Sequence, residues 1–254
     1  MPFHAILDKI RCQKPLVHCI SNIVTANDCA NLLLAIGASP MMAQAPEEMK
    51  EITDISSATV LNTGTPDAAR FAACGICGAH ANRIHRPVVL DPVGVGASNW
   101  RLENVQRLLT AFVPDLVRVN LSEAQALLGL RAQERGVDSA AVPDMEDAER
   151  CAVELARRLG CAVLLSSATD IATDGSEILR ISGGSPRVTA VTGSGCMLSA
   201  LCGAFLAVSD DSLHAAYAAS AFWKRSSEHA EAHCADSGMG SFHMALIDAA
   251  SLRN

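Results

Sequence analysis

A chain of 254 residues, half of them apolar, is long enough to bury one large core, and a single domain over residues 1–254 is expected. Its formal net charge of −7, with both signs interspersed, and its 4% aromatic content leave no basic tract or aromatic–basic stripe, which argues against nucleic acid as a partner. It holds no run of about 20 apolar residues to span a membrane, its first residues lack the pattern of a secretory leader, and its cysteines, scattered through apolar stretches, read as reduced thiols of a cytoplasmic protein.

Apolar spacing predicts an amphipathic helix over residues 5–12, stopped by Pro15, and then a buried strand over 16–20 that ends at Ser21 and Asn22. A helix over 27–36 finishes at Gly37, a natural C-cap. Residues 40–43 read as a short extended piece, and Pro46, Glu47 and Glu48 open another helix. A second strand at 59–61 runs into Asn62, Thr63 and Gly64, followed by a helix over 67–82. A third strand at 87–90 runs into Asp91, Pro92, Val93 and Gly94. Further helices are predicted over 102–112, 122–130 and 146–160, strands at 116–119 and 162–165, a polar loop over 133–147 and a hairpin around Asp174 and Gly175. Helices over 213–232 and 242–252 close the chain.

Continuous apolar strands alternating with helices indicate an α/β fold with a mainly parallel central sheet and helices on both faces. In such sheets ligands bind beyond the carboxyl ends of the strands, where Asn22, Asn62, Asp91, Asn120 and Ser167 collect. The stretch from Val191 to Phe205 organises the rest. Its first half is small and glycine-rich and its second half apolar and uncharged, so it reads as a tight turn entering a buried helix. A helix N-terminus offers unpaired N–H groups and a positive dipole end to an anion. Gly193 and Gly195 allow close backbone approach to a phosphate, and Cys196 stands at the helix start, where a thiolate is favoured. An ordinary strand-to-helix turn is the competing reading.

Neither a phosphate loop ending in Gly-Lys-Ser/Thr nor a GxGxxG fingerprint is present. Asp91 is either a turn former before Pro92 or a carboxylate for Mg2+. Glu123 caps the helix that follows Asn120, reaches a metal or water near a phosphate, or does both. Arg118 pairs with a nucleotide phosphate or lies at a strand edge. Cys74, Cys77, His80 and His85 faintly resemble a zinc site, but small-residue helix packing is the preferred reading. His229, His233, Cys234 and His243 read as surface or interface residues, and Gly238 to Phe242 as a helix start rather than a phosphate contact.

Several ordered blocks carry a resemblance. They are Pro15-Leu16-Val17-His18 with Ile20-Ser21-Asn22, Gly37-Ala38-Ser39-Pro40 with Met42-Ala43, Asp91-Pro92-Val93-Gly94, Arg118 with Asn120 and Glu123, Thr192-Gly193-Ser194-Gly195-Cys196, and Gly238 with Gly240-Ser241-Phe242. From about residue 15 to 242 the chain resembles the hydroxyethylthiazole kinases, of ribokinase-like fold. The resemblance implies ATP-dependent phosphorylation of 4-methyl-5-(2-hydroxyethyl)thiazole with Mg2+ in thiamin salvage, and a homotrimer with thiazole pockets between subunits. It implies thiazole contacts at Asn22, Met42 and Gly195, and ATP contacts at Arg118 and Ser167, with Asn120 on the nucleotide side. It implies Asp91 and Glu123 near phosphate and metal, and Cys196 where related kinases carry an aspartate base; the Gly193 to Cys196 turn would supply N–H groups to the transferring phosphoryl. Two departures fall on the nucleotide side: Val119 replaces a glycine, and Ser167-Ala168 replaces Thr-Gly. Two other readings stay open: a kinase for hydroxymethylpyrimidine or pyridoxal, and a non-catalytic thiazole- or thiamin-binding trimer.

Overall fold

The parallel strands are β1 (Leu16–Ile20), β2 (Ser39–Met41), β3 (Ala58–Asn62), β4 (Val88–Asp91), β5 (Leu116–Val119) and β6 (Ala162–Leu165); β7 (Asp170–Thr173) and β8 (Ile178–Ile181) add an antiparallel hairpin. They form one eight-stranded sheet in the order β2-β1-β3-β4-β5-β6-β7-β8. The structure, a computed structural model, describes residues 3–130 and 145–252.

The helices are α1 (Phe3–Gln13), α2 (Ala26–Ala35), α3 (Met49–Ile55), α4 (Ala68–Arg83), α5 (Asn99–Ala111), α6 (Leu121–Leu128), α7 (Met145–Leu159), α8 (Ser194–Leu206), α9 (Ser212–His233) and α10 (Met239–Ser251). They divide between the two faces of the sheet. One core holds Ile6, Leu33, Phe205, Phe222 and Phe242 from α1, α2, α8, α9 and α10. The other holds Met49, Cys77, Leu108, Leu127 and Leu155 from α3 to α7. Cys74 and Cys77 are fully buried in that second core, and His80 pairs with Asp54 at 2.6 Å, which leaves helix packing as their role.

The expected elements are present, with shifted ends. Strands β3 and β4 run one residue further than the apolar run, because Asn62 and Asp91 are partners in the parallel register. Helix α5 starts three residues before the apolar periodicity does, because the Ser98 side chain accepts from Arg101 N. Pro46 to Glu48 form a single 3-10 turn ahead of α3. Helix α10 begins at Met239, with Gly240 inside its first turn, so the glycines there open a helix. The polar loop over 133–147 lies mostly outside the described residues; its last part is the start of α7.

Helix α8 is buried from Cys196 to Leu206 and has no polar face, so the whole cylinder sits between the sheet and the outer helices. It rests on β1, β3 and β4, and at Gly203 it meets β3 and β1 closely, where a Cβ would lie 2.4 Å from Val60 Cγ2 and 3.1 Å from Val17 Cγ1. Gly203→Ala would lift α8 off strand residues that cannot yield. We expect a loss of about 1–3 kcal/mol from overpacking, partly offset by about 1 kcal/mol of helix propensity, read as a lower denaturation midpoint. An unchanged midpoint would show that α8 has slack against the sheet.

Candidate active site

The polar ends of β1, β3 and β4 meet the first turn of α8. Gly193 starts that turn with φ +81°, a conformation that suits glycine, and a Cβ there would fall 2.0 Å from Thr25 Cγ2. Cys196 faces the strand ends from the turn's inner side. Asn22 Nδ2 and Asn62 Nδ2 each donate to its Sγ at 3.2 Å. Asn22 Nδ2 also lies 3.2 Å from Asn62 Oδ1, and Asn22 Oδ1 accepts from the backbone of Val24 and Thr25. Asn62 Oδ1 accepts from Gly64 N at 2.9 Å. The two amides are thereby oriented, with their N–H groups turned toward sulfur and carboxylate.

Asp91 is fully buried. Its Oδ2 accepts from Asn62 Nδ2 at 2.8 Å and Ser199 Oγ at 2.7 Å, while its Oδ1 has no hydrogen-bond partner and lies 3.7 Å from Arg118 Nη1. Burial pushes this carboxyl up to about 6; Glu123 adds to the rise, and Arg118, Ser199 and Asn62 oppose it. Burial, then the nearby Asp91, also push the Cys196 thiol up, against smaller opposing effects from Thr25, Asn62 and Arg118. Desolvation and a neighbouring carboxylate thus oppose the thiolate that a helix N-terminus favours and hold the proton on Cys196.

Arg118 lies flat on the start of α8. A Cβ on Gly195 would be 2.5 Å from its Nη1 and 2.8 Å from its Cζ, so glycine there makes room for the guanidinium. Its other Nη donates to Ser166 Oγ. Val119, the first departure, packs fully buried in the opposite core, away from Arg118 and the α8 turn. Asn120 is exposed and caps α6: its Oδ1 accepts from Glu123 N at 2.8 Å, while Glu123 Oε2 accepts from Asn120 N at 2.9 Å. Glu123 Oε1 accepts from Gly94 N at 2.8 Å, which ties α6 to the loop after β4. Glu123 is thus a cap, and both its oxygens hold backbone N–H groups.

Beyond Arg118 a cavity of about 380 Å³ opens, lined in part by Gly195, Leu198, Ser167, Ala168 and Lys224. That size suits a small-molecule site. The exposed Ser167 donates through its backbone N to Asp170 Oδ1 at 2.8 Å. On the other side of the cluster, Met42 is half-buried just past the end of β2 and packs against the core that holds α8. The next carbonyl, Ala43 O, lies 3.0 Å from Nε2 of the buried His18, whose pKa burial pushes down. Arg70 joins Ser21 O to Gln44 Oε1. These contacts brace the loops that carry Asn22 and Met42.

Asn22, Asp91, Arg118, Gly193, Gly195 and Cys196 therefore converge, with Ser167 across the cavity. Met42 stands on the flank, and Asn120 and Glu123 form the adjoining cap. Ser199 was missed, although Cys196, Ser199 and Gly203 follow the i, i+3, i+7 spacing of one helix face and mark the stripe that meets the sheet. Among the described residues no group of three or more His, Cys, Asp and Glu could hold a metal ion.

A mainly parallel sheet with helices on both faces, and a glycine turn entering a buried helix at its strand ends, is a fold shared with the ribokinase-like superfamily. A ribokinase-like superfamily protein from Enterococcus faecalis superposes with a TM-score of 0.67 at 13% identity, over 96% of this chain and 93% of that one. The sequence narrows the class. The model of the hydroxyethylthiazole kinase family matches residues 7–253, and the chain belongs to that family. It is 42% identical to a hydroxyethylthiazole kinase of Clostridium botulinum, over 98% of this chain and 91% of the relative. The solved hydroxyethylthiazole kinase of Pyrococcus horikoshii OT3 superposes with a TM-score of 0.88 at 34% identity, covering 98% of this chain and 92% of that one.

Proposed function

We propose that this chain, as a single kinase domain over residues 1–254, transfers the γ-phosphoryl group of ATP to the primary alcohol of 4-methyl-5-(2-hydroxyethyl)thiazole, the thiamin-salvage reaction of its family. The observation that carries this reading is the convergence of Asn22, Asn62, Asp91 and Cys196 under the α8 N-terminus, behind Arg118 and Gly195, which line the cavity.

In phosphoryl transfer the protein mainly positions the reactants and stabilises charge. The thiazole lies on the Asn22, Met42 and Gly195 side, with its alcohol toward Cys196. The nucleotide lies in the cavity, with Arg118 and Ser167 along it and Asn120 at its edge. The N–H groups of the turn from Gly193 to Cys196 meet the equatorial oxygens of the phosphoryl in flight. Cys196, neutral and accepting two amide N–H bonds, shapes and polarises the pocket. Cys196→Ala is expected to lower kcat by on the order of tenfold, short of the ~10²–10⁴-fold of a lost general base. Complete loss in a folded variant would overturn that role.

Mg2+ takes oxygen ligands and keeps several waters, usually alongside substrate phosphates. The unbonded, buried Oδ1 of Asp91 fits such an ion, whereas both Glu123 oxygens already accept N–H bonds, so Glu123 would reach it through water. Bound there, Mg2+ would neutralise the charge that builds on the phosphoryl oxygens. The family resemblance implies a homotrimer, and a subunit contact beside Asn22 would cover the apolar Ile23 and Val24, which are 78% and 59% exposed. A cytoplasmic setting accords with ten free thiols.

The test is phosphate transfer with Mg2+, ATP and the thiazole, followed by mass spectrometry, with pyridoxal and hydroxymethylpyrimidine as competing acceptors. Thiazole phosphate as the dominant product supports the reading. A preferred pyrimidine or pyridoxal product overturns the acceptor, and thiazole binding without any transfer overturns the kinase.

A further inference from the structure

Lys224 is the single lysine of α9 and follows an apolar run from Ala215 to Trp223 that is broken only by Tyr217 and Ser220. It is 9% exposed. Its Nζ lies 2.9 Å from Ala168 O, 3.2 Å from Gly183 O and 3.4 Å from Ser167 O, and 3.3 Å from Asp170 Oδ1. An ammonium has three donors, and here they are spread over the backbone of two separate loops. Asp170 completes the brace: Oδ1 accepts from Ser167 N at 2.8 Å and Oδ2 from the buried Ser220 Oγ at 2.7 Å.

The two loops, β6 to β7 and the one after β8, form one wall of the cavity whose other side carries Arg118 and Gly195. Neither loop has a regular ladder to hold it at these positions. Burying a lysine is costly unless it is paired, and a loop far from any ligand gives no return for that cost. The charge stands where the wall must be fixed.

We propose that Lys224 is a positioning residue for the nucleotide: it sets the wall formed by Ser167, Ala168 and Gly183, without touching the alcohol acceptor. This rests on the nucleotide occupying that cavity. Through Lys224 the second departure from the family pattern, Ala168 in place of glycine, enters the site by its carbonyl, which the ammonium holds, while its methyl stays exposed.

The test compares Lys224→Met paired with Asp170→Asn, which leaves no uncompensated charge, with the parent. The readouts are KM for ATP, KM for the thiazole, kcat, direct binding of a fluorescent ATP analogue, and the melting temperature. We expect KM for ATP and the analogue's Kd to rise about tenfold or more, with KM for the thiazole within about twofold. A double variant that melts like the parent and keeps its ATP KM overturns the proposal, as does an equal rise in both KM values. If the double variant melts lower, Lys224→Arg supplies the same comparison: the charge beside Asp170 is kept but the point donor is lost, so ATP KM should rise severalfold with thiazole KM unmoved, and an unmoved ATP KM overturns the proposal. A parent that binds no nucleotide at all is a different result: it overturns the cavity assignment, and this inference with it.

Discussion

Asp91→Asn is expected to lower kcat/KM by about 10²–10³-fold while leaving the melting temperature at or near that of the parent. The side chain is isosteric, and Asn can still accept from Ser199 through its oxygen. What goes is the negative charge that faces Arg118 and the free oxygen proposed to meet the metal. Stability should survive because the charge is held against its own preference. The folded-state pKa, about 6, lies above the ordinary 3.8, so the folded chain binds this proton more tightly than the unfolded chain does. This group's contribution to stability is therefore full below pH 3.8 and is lost as the pH rises through about 6. At pH 7.5 the ionised carboxyl costs on the order of 3 kcal/mol, which Asn removes; the weakened hold on Arg118 offsets part of that gain. The same reasoning fixes the acid limb. Parent kcat/KM should fall on the acid side as this carboxyl takes its proton, at a pH that Mg2+ on Oδ1 lowers, and the residual activity of Asp91→Asn should not follow that limb. A variant that both unfolds and loses activity would make Asp91 a structural residue.

The fold was legible because the strands are unbroken apolar runs and the helices carry caps and breakers at their ends. The α8 turn was legible for a different reason: glycines at 193 and 195 ahead of an uncharged run have few other uses. What the sequence hid were contacts between distant segments. Ser199 reaches Asp91 across 108 residues of chain, and Asn22 reaches Cys196 across 174. Local periodicity places such residues on a face but does not name the partner. Val119 shows the converse: it looked like added bulk beside the nucleotide, yet strand alternation turns it away from Arg118 into the other core. The Cys196 thiol marks a further limit, because helix-end electrostatics are visible in sequence whereas desolvation, which pushes its pKa up, is not.

Gly195→Ala should be the second most damaging change to activity, and any loss of stability should come from the displaced Arg118 rather than from the helix. Gly195 has no left-handed φ, and alanine is welcome in the first turn of a helix, so α8 itself has no reason to suffer. The new Cβ would instead fall 2.5, 2.7 and 2.8 Å from the Nη1, Nη2 and Cζ of Arg118. The guanidinium must swing away, giving up its place beside Asp91 and its bond to Ser166. A misplacement of about 1 Å in such a group lowers turnover by about 10²-fold. Gly193→Ala is the contrasting case. With φ +81° and Thr25 Cγ2 2.0 Å from the added carbon, it should depress stability and activity together. A double-mutant cycle decides how Gly195 acts. If its effect runs through Arg118, then Gly195→Ala added to Arg118→Ala should lower kcat/KM no further than Arg118→Ala alone. Losses that multiply would mean instead that the glycine backbone meets the thiazole or the phosphoryl group directly, and the packing of Arg118 on Gly195 would then be incidental to catalysis.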